Sequence, residues 1–113
     1  MTDSFAVPVL RVSAAEASVD WYQRLGFTVE WRHHVEPGLP LYLGKRRGDT
    51  ARLHLSEHTG DARPGTLVYL YVPDVDAVAG ACGVTQIDQM PWGRDFEVMD
   101  PDGNRIRVGS PNS

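Results

Sequence analysis

The sequence contains a single cysteine, Cys82. One thiol excludes an internal disulfide framework and leaves no cysteine pair for a zinc knuckle, so a reducing cytoplasm is the expected compartment. No stretch approaches the roughly 18 apolar residues of a membrane span. The start, MTDSFAVPVL, lacks the basic region and apolar run of an export leader, so the chain reads as soluble and intracellular. Positive charge is also short: 11 Lys and Arg stand against 15 Asp and Glu, a net charge of −4. No overall basic field is available to recruit nucleic acid or an anionic membrane, and a neutral or cationic small ligand suits the balance better.

What is present is the composition of a folding domain. Hydrophobic residues make up 42% and charged residues 23%, too apolar for a disordered chain. A length of 113 residues accommodates one domain, 1–113, with a core of its own. Residues 5–12 are rich in β-formers and carry Pro8, which marks an edge or an exchange point because proline cannot donate to a ladder. Ser13 and Glu16 have capping-box spacing. Ala15, Val19, Tyr22 and Leu25 then recur at helical intervals until Gly26 provides a C-terminal stop. Strands follow at 27–34, 41–45 and 51–56, separated by Glu36-Pro37-Gly38 and Arg47-Gly48-Asp49.

After a polar connection the pattern repeats: a strand at 67–72, a helix at 75–82, and strands at 84–89, 94–99 and 105–109. The turn Asp100-Pro101-Asp102-Gly103-Asn104 joins the last two. The chain is therefore read as α+β, two βαβββ modules over about 5–58 and 66–110, forming a curled mixed sheet with helices on its convex face and a cleft on its concave face. Alternation along the strands assigns the faces. Leu10, Val12, Leu53, Leu55, Val68, Leu70 and Val72 are expected toward the helices. Val7, Val9, Arg11, Arg52, His54, Ser56, Leu67, Tyr69 and Tyr71 are expected toward the cleft. In the closing hairpin, Phe96, Val98, Ile106 and Val108 share one face, and Glu97, Met99, Arg105 and Arg107 share the other.

The segments VPVLRV (7–12), WYQRLGF (21–27), LHLSEHTGD (53–61), LYVPDVD (70–76) and DPDGNRIRV (100–108) together resemble the glyoxalase/bleomycin-resistance family of the vicinal oxygen chelate superfamily. PWGRDF ahead of DPDGN resembles the bleomycin-binding resistance proteins in particular, and that resemblance implies a stacking role for Trp92. It also implies a homodimer whose clefts are completed across the interface, with a first strand that can exchange at Pro8. The positions that carry metal ligands in the family fall here on Val7, His54, Leu67 and Arg107. Three of the four cannot ligate a divalent cation, and Arg107 would repel one. A catalytic first-row metal needs about three protein ligands, so no metal cofactor is expected.

Each candidate has a plainer alternative. His54 and His58 are four apart, roughly 13 Å along a strand, too far to share an ion. His54 is read as a hydrogen-bonding cleft residue. Adjacent His33 and His34 point to opposite faces, so at most one enters the cleft. Trp92 lies in a connection, where a large aromatic serves either ligand stacking or an interface. Trp31 is on a strand whose facing the sequence leaves open. Arg107 is read first as the cross-strand partner of Glu97 and second as a ligand contact. Tyr69 and Tyr71 on one face are better ligand candidates, Cys82 is inert packing, and Asp102 and Gly103 are turn chemistry. Gly38 to Lys45 lacks the spacing of a phosphate loop.

The expected function is non-catalytic binding and sequestration of a bulky planar small molecule, such as a bleomycin-like antibiotic. Trp92, Tyr69, Tyr71, His54, Arg107, Glu97 and Trp31 would hold it. The alternative is a lyase or dioxygenase of the same superfamily with an atypical site using His54.

Overall fold

The computed structural model describes residues 4–33 and 38–111. The expected His34, Glu36 and Pro37 features lie outside these residues. The order is β1 (Val9–Arg11), α1 (Ala15–Gln23), β2 (Thr28–His33), β3 (Tyr42–Arg47), β4 (Ala51–Ser56), β5 (Leu67–Tyr71), α2 (Val75–Ala81), β6 (Asp88–Met90), β7 (Gly93–Met99) and β8 (Arg105–Pro111). This is the expected α+β pattern of two βαβββ modules. Each module contributes one four-stranded mixed sheet, ordered β1-β4-β3-β2 and β5-β8-β7-β6, with its first strand parallel to its last.

Burial follows the alternation read from the sequence. Leu10, Val12, Leu53 and Leu55 from the first sheet, with Leu70, Val72, Phe96, Ile106 and Val108 from the second, form one buried cluster with Tyr22 and Val75 of the helices. The helix-facing sides of both sheets thus share a core. Alternate positions, including Tyr71 and Met99, are left exposed on the opposite, open faces.

Several boundaries differ from expectation, each for an identifiable reason. β1 covers only three residues, because its ladder to β4 runs from Val9 opposite His54 to Arg11 opposite Ser56. Pro8 sits just before it, where the missing N–H costs no ladder bond and its carbonyl accepts from His54 N at 2.9 Å. β6 begins at Asp88 rather than Val84, since only Asp88 to Met90 find partners on β7. The capping box does not form. α1 has Ala14 at its N-cap with no side-chain cap, and Glu16 instead pairs with Arg32 on the surface. Its C-terminal end is as expected, closed by Phe27 N donating to Tyr22 O and Gly26 N to Gln23 O.

Candidate functional site

The open face of the second sheet gathers five of the seven expected residues. β6 and β7 pair up to Met90 opposite Gly93, so Pro91 and Trp92 form a two-residue turn that lifts the indole over the sheet. Gly93 has φ +154°, and a Cβ there would run into Ser110 O, so the turn depends on glycine. Trp92 remains 48% exposed. It lines a cleft of about 400 Å³ with Asp88, Met90, Asp95, Phe96, Glu97 and Arg107.

The polar groups here are mostly committed to one another. Tyr69 Oη donates to Asp95 Oδ2 at 2.8 Å, and the Trp92 indole N–H is shared between Tyr69 Oη at 3.2 Å and Asp95 Oδ2 at 3.4 Å. Burial and the bond to Asp95 both push the Tyr69 hydroxyl above its ordinary pKa. Tyr71 packs on Tyr69 with ring centroids 4.7 Å apart. Glu97 lies directly opposite Arg107, accepts from its Nε at 3.0 Å, and is also 3.6 Å from Arg105 Nη1. The expected cross-strand pair is thus present on the wall of the cleft.

His54 and Trp31 form a second group on the open face of the first sheet. The facing of Trp31, left open by the sequence, is decided by a bulge in β2: Val29 pairs with Lys45, but Trp31 pairs with Gly44, so Glu30 is inserted. One extra residue reverses the side-chain alternation and turns Trp31 to the open face. Gly44 makes this possible, since a Cβ there would collide with the indole. Trp31 stacks parallel on Tyr42 at 5.8 Å, and His54 meets both rings edge-on. His54 Nδ1 is hydrogen-bonded to Tyr42 Oη at 2.8 Å. Burial lowers the His54 pKa, against the opposing pull of the Glu30 carboxylate. Among the described residues no hydrogen bond or ring contact joins this group to the Trp92 group.

Three participants were missed from sequence. Tyr42 and Gly44 could have been found, because they alternate with Arg46 on one face of β3. Asp95 shares the face of Glu97, but nothing local marks an aspartate as the acceptor for a tyrosine two strands away, across β8. Ser56, expected in the cleft, is fully buried and donates to Asp61 at 2.6 Å, because the polar connection folds back over it.

Similarity to known proteins agrees with this architecture. Residues 3–112 match the model of a glyoxalase superfamily protein. The chain belongs to the glyoxalase superfamily. Its relatives of known structure include a bleomycin-binding protein from bleomycin-producing Streptomyces verticillus, determined with copper(II)-bleomycin. That protein is 30% identical, with 99% of this chain and 100% of that one covered and a TM-score of 0.71. An antibiotic-binding protein from Streptomyces sp. CB03234 is 27% identical, covering 99% of each chain, with a TM-score of 0.78. A glyoxalase/bleomycin resistance protein from the same organism is also 27% identical, with 94% and 99% covered and a TM-score of 0.73. No curated protein matches the chain.

The metal chemistry that occurs in the glyoxalase superfamily does not fit this donor set. Val7 and Leu67 offer no ligand atom, the Arg107 guanidinium is bound to Glu97, and one ring nitrogen of His54 is taken by Tyr42. Among the described residues no three His, Cys, Asp or Glu side chains are grouped to hold an ion. Nor, among those residues, is any helix long and apolar enough to cross a membrane.

Proposed function

We propose that this superfamily member binds a bulky planar small molecule, an antibiotic of the bleomycin type, and sequesters it without transforming it. The observation that carries the reading is Trp92: a half-exposed indole on a two-residue turn, held by hydrogen bonds at the edge of a cleft of about 400 Å³. An indole face so placed suits stacking on a flat ligand. Tyr69 and Tyr71 extend the aromatic surface, and Glu97 with Arg107 supplies polar contacts. The bleomycin-binding and antibiotic-binding relatives support the same reading.

The separation of the two aromatic groups supports a homodimer. A second copy would bring its Trp31, Tyr42 and His54 wall against the Trp92 wall, so that each ligand lies between two chains. The single free cysteine is consistent with action in the cytoplasm.

Titration of intrinsic tryptophan fluorescence with bleomycin tests the ligand, and sedimentation tests the assembly. Saturable quenching is expected, weakened at least tenfold by Trp92→Ala, together with a mass of about 25 kDa, twice the chain's 12.5 kDa. Titrations that stay flat for bleomycin and other aromatic antibiotics would overturn the reading. So would stoichiometric bound zinc, nickel or iron in the purified protein.

A further inference from the structure

Trp92 occupies a hairpin turn, where an indole ordinarily samples several rotamers. Here its N–H is held. Two acceptors share it, Tyr69 Oη at 3.2 Å and Asp95 Oδ2 at 3.4 Å; Asp95 Oδ2 in turn receives the Tyr69 hydroxyl at 2.8 Å, and Asp95 is 7% exposed. These three side chains come from β5, the β6–β7 turn and β7, so the contact spans β8. It can do so because Gly109 lies between them: Gly109 pairs with Tyr71 on one side and Asp95 on the other. A Cβ at Gly109 would stand 2.5 Å from Tyr69 Oη and 3.0 Å from Asp95 Cβ. The ring of Tyr69 therefore reaches across the strand through room that only glycine leaves.

We infer that Asp95 is a positioning residue: its carboxylate, with the Tyr69 hydroxyl beside it, fixes the plane of the Trp92 indole before any ligand arrives. The inference rests on the reading of Trp92 as the stacking platform. A platform already in its bound orientation avoids the ordering cost of capture, and a ligand meets the competent conformer at every encounter rather than in a fraction of them. The anchor of the network is the 2.8 Å bond from the Tyr69 hydroxyl to the Asp95 carboxylate, since charge-assisted hydrogen bonds are the shorter and stronger ones. Burial strengthens them further, since little water competes for the oxygen.

The test uses the full chain and the isosteric variant Asp95→Asn, with Tyr69→Phe as a second variant that leaves the buried carboxylate intact. The first readout needs no ligand. The indole N–H resonances of Trp21, Trp31 and Trp92 are recorded by proton–nitrogen NMR, with the Trp92 signal assigned by its loss in Trp92→Phe. In both variants the Trp92 resonance is expected to move upfield and exchange faster with solvent, while the other two stay in place. The second readout is stopped-flow quenching with bleomycin. Association is expected to slow about tenfold in Asp95→Asn with dissociation little changed, the pattern of a reduced competent fraction. A Trp92 resonance that neither variant moves would overturn the inference whatever the binding does. A titration unaffected by Trp92→Ala, alongside a displaced indole resonance, would instead overturn the stacking role and leave the positioning geometry standing.

Discussion

At the scale of single residues, the sharpest conflict with ordinary burial rules is Lys45. It lies on the helix-facing side of β3 with no measurable exposure, and its Nζ donates to Val19 O at 3.1 Å. Burial lowers its pKa to about 8. The charge of Arg32 acts in the same direction, and Asp20 and Glu16 oppose it. The unfolded lysine titrates near its ordinary value, about 10.4. Between these two values the unfolded state binds more protons than the folded one, so this side chain makes stability rise with pH across that window. Below it, the penalty of holding a buried ammonium is present in full. Lys45→Met, which keeps the stem and removes the charge, is expected to stabilise the fold at pH 7 by about 1–3 kcal/mol and to abolish that part of the rise. Urea unfolding of both proteins at pH 7 and pH 10 measures the difference. Equal shifts with pH in the two proteins would refute it.

At the scale of elements, α1 shows how a local signal can be correct in place and wrong in mechanism. The helix begins within a residue or two of where Ser13 and Glu16 set it, yet neither caps it. The N–H of Ala15, which has no partner within the helix, donates to Glu57 Oε2 at 2.7 Å, while Oε1 of the same carboxylate accepts from Leu41 N at 3.0 Å. A residue 42 positions away thus completes the helix start and the approach to β3 together. Its negative charge is also favourable at the N-terminal end of the helix dipole. Glu57→Ala is therefore expected to cost about 1–2 kcal/mol, whereas Glu16→Ala, which breaks an exposed pair with Arg32 and removes a weak attraction to Lys45, costs less than about 1 kcal/mol. Thermal melts of the two variants decide between the long-range cap and the local one. The bulge in β2 is a comparable case. Periodicity identified the strand, but the inserted Glu30 that reverses its facing also pairs with Arg52 on β4 at 3.2 Å, a contact no local pattern encodes.

At the scale of the whole molecule, the alternation of apolar residues made the helix-facing core legible, since that signal is repeated on every strand and each repetition agrees with the next. The candidate site was legible in part. Trp92, Tyr69, Tyr71, Glu97 and Arg107 could be gathered because one hairpin and one neighbouring strand carry them. Tyr42 and Gly44 share a face of β3 that alternation could have marked, whereas Asp95 and Gly109 act through partners on other strands, so their roles exist only in three dimensions. The same holds for the turn 100–104, read from sequence as turn chemistry alone. In the fold it also joins the modules. Buried Asp100 accepts from the Tyr22 hydroxyl of α1 at 2.6 Å, Ser13 N donates to Asp102 Oδ1 at 3.0 Å, and Asn104 Nδ2 donates to Arg11 O at 2.9 Å. Asn104 Nδ2 also donates to Asp100 Oδ2, and its Oδ1 accepts from Gly65 N and Thr66 N, so one fully buried amide serves four partners. Removing it leaves the part-buried N–H groups of Gly65 and Thr66 and the carbonyl of Arg11 without this partner and the buried Asp100 carboxylate with one donor fewer, at about 1–3 kcal/mol for a group left unsatisfied. Asn104→Ala is accordingly expected to destabilise the protein by about 3 kcal/mol or more. Because the bond to Arg11 O ties the second module to the first, the loss should also reduce the cooperativity of unfolding, read as a smaller dependence of stability on urea concentration. A variant that lost stability with an unchanged slope would assign Asn104 to local turn closure rather than to the union of the two modules.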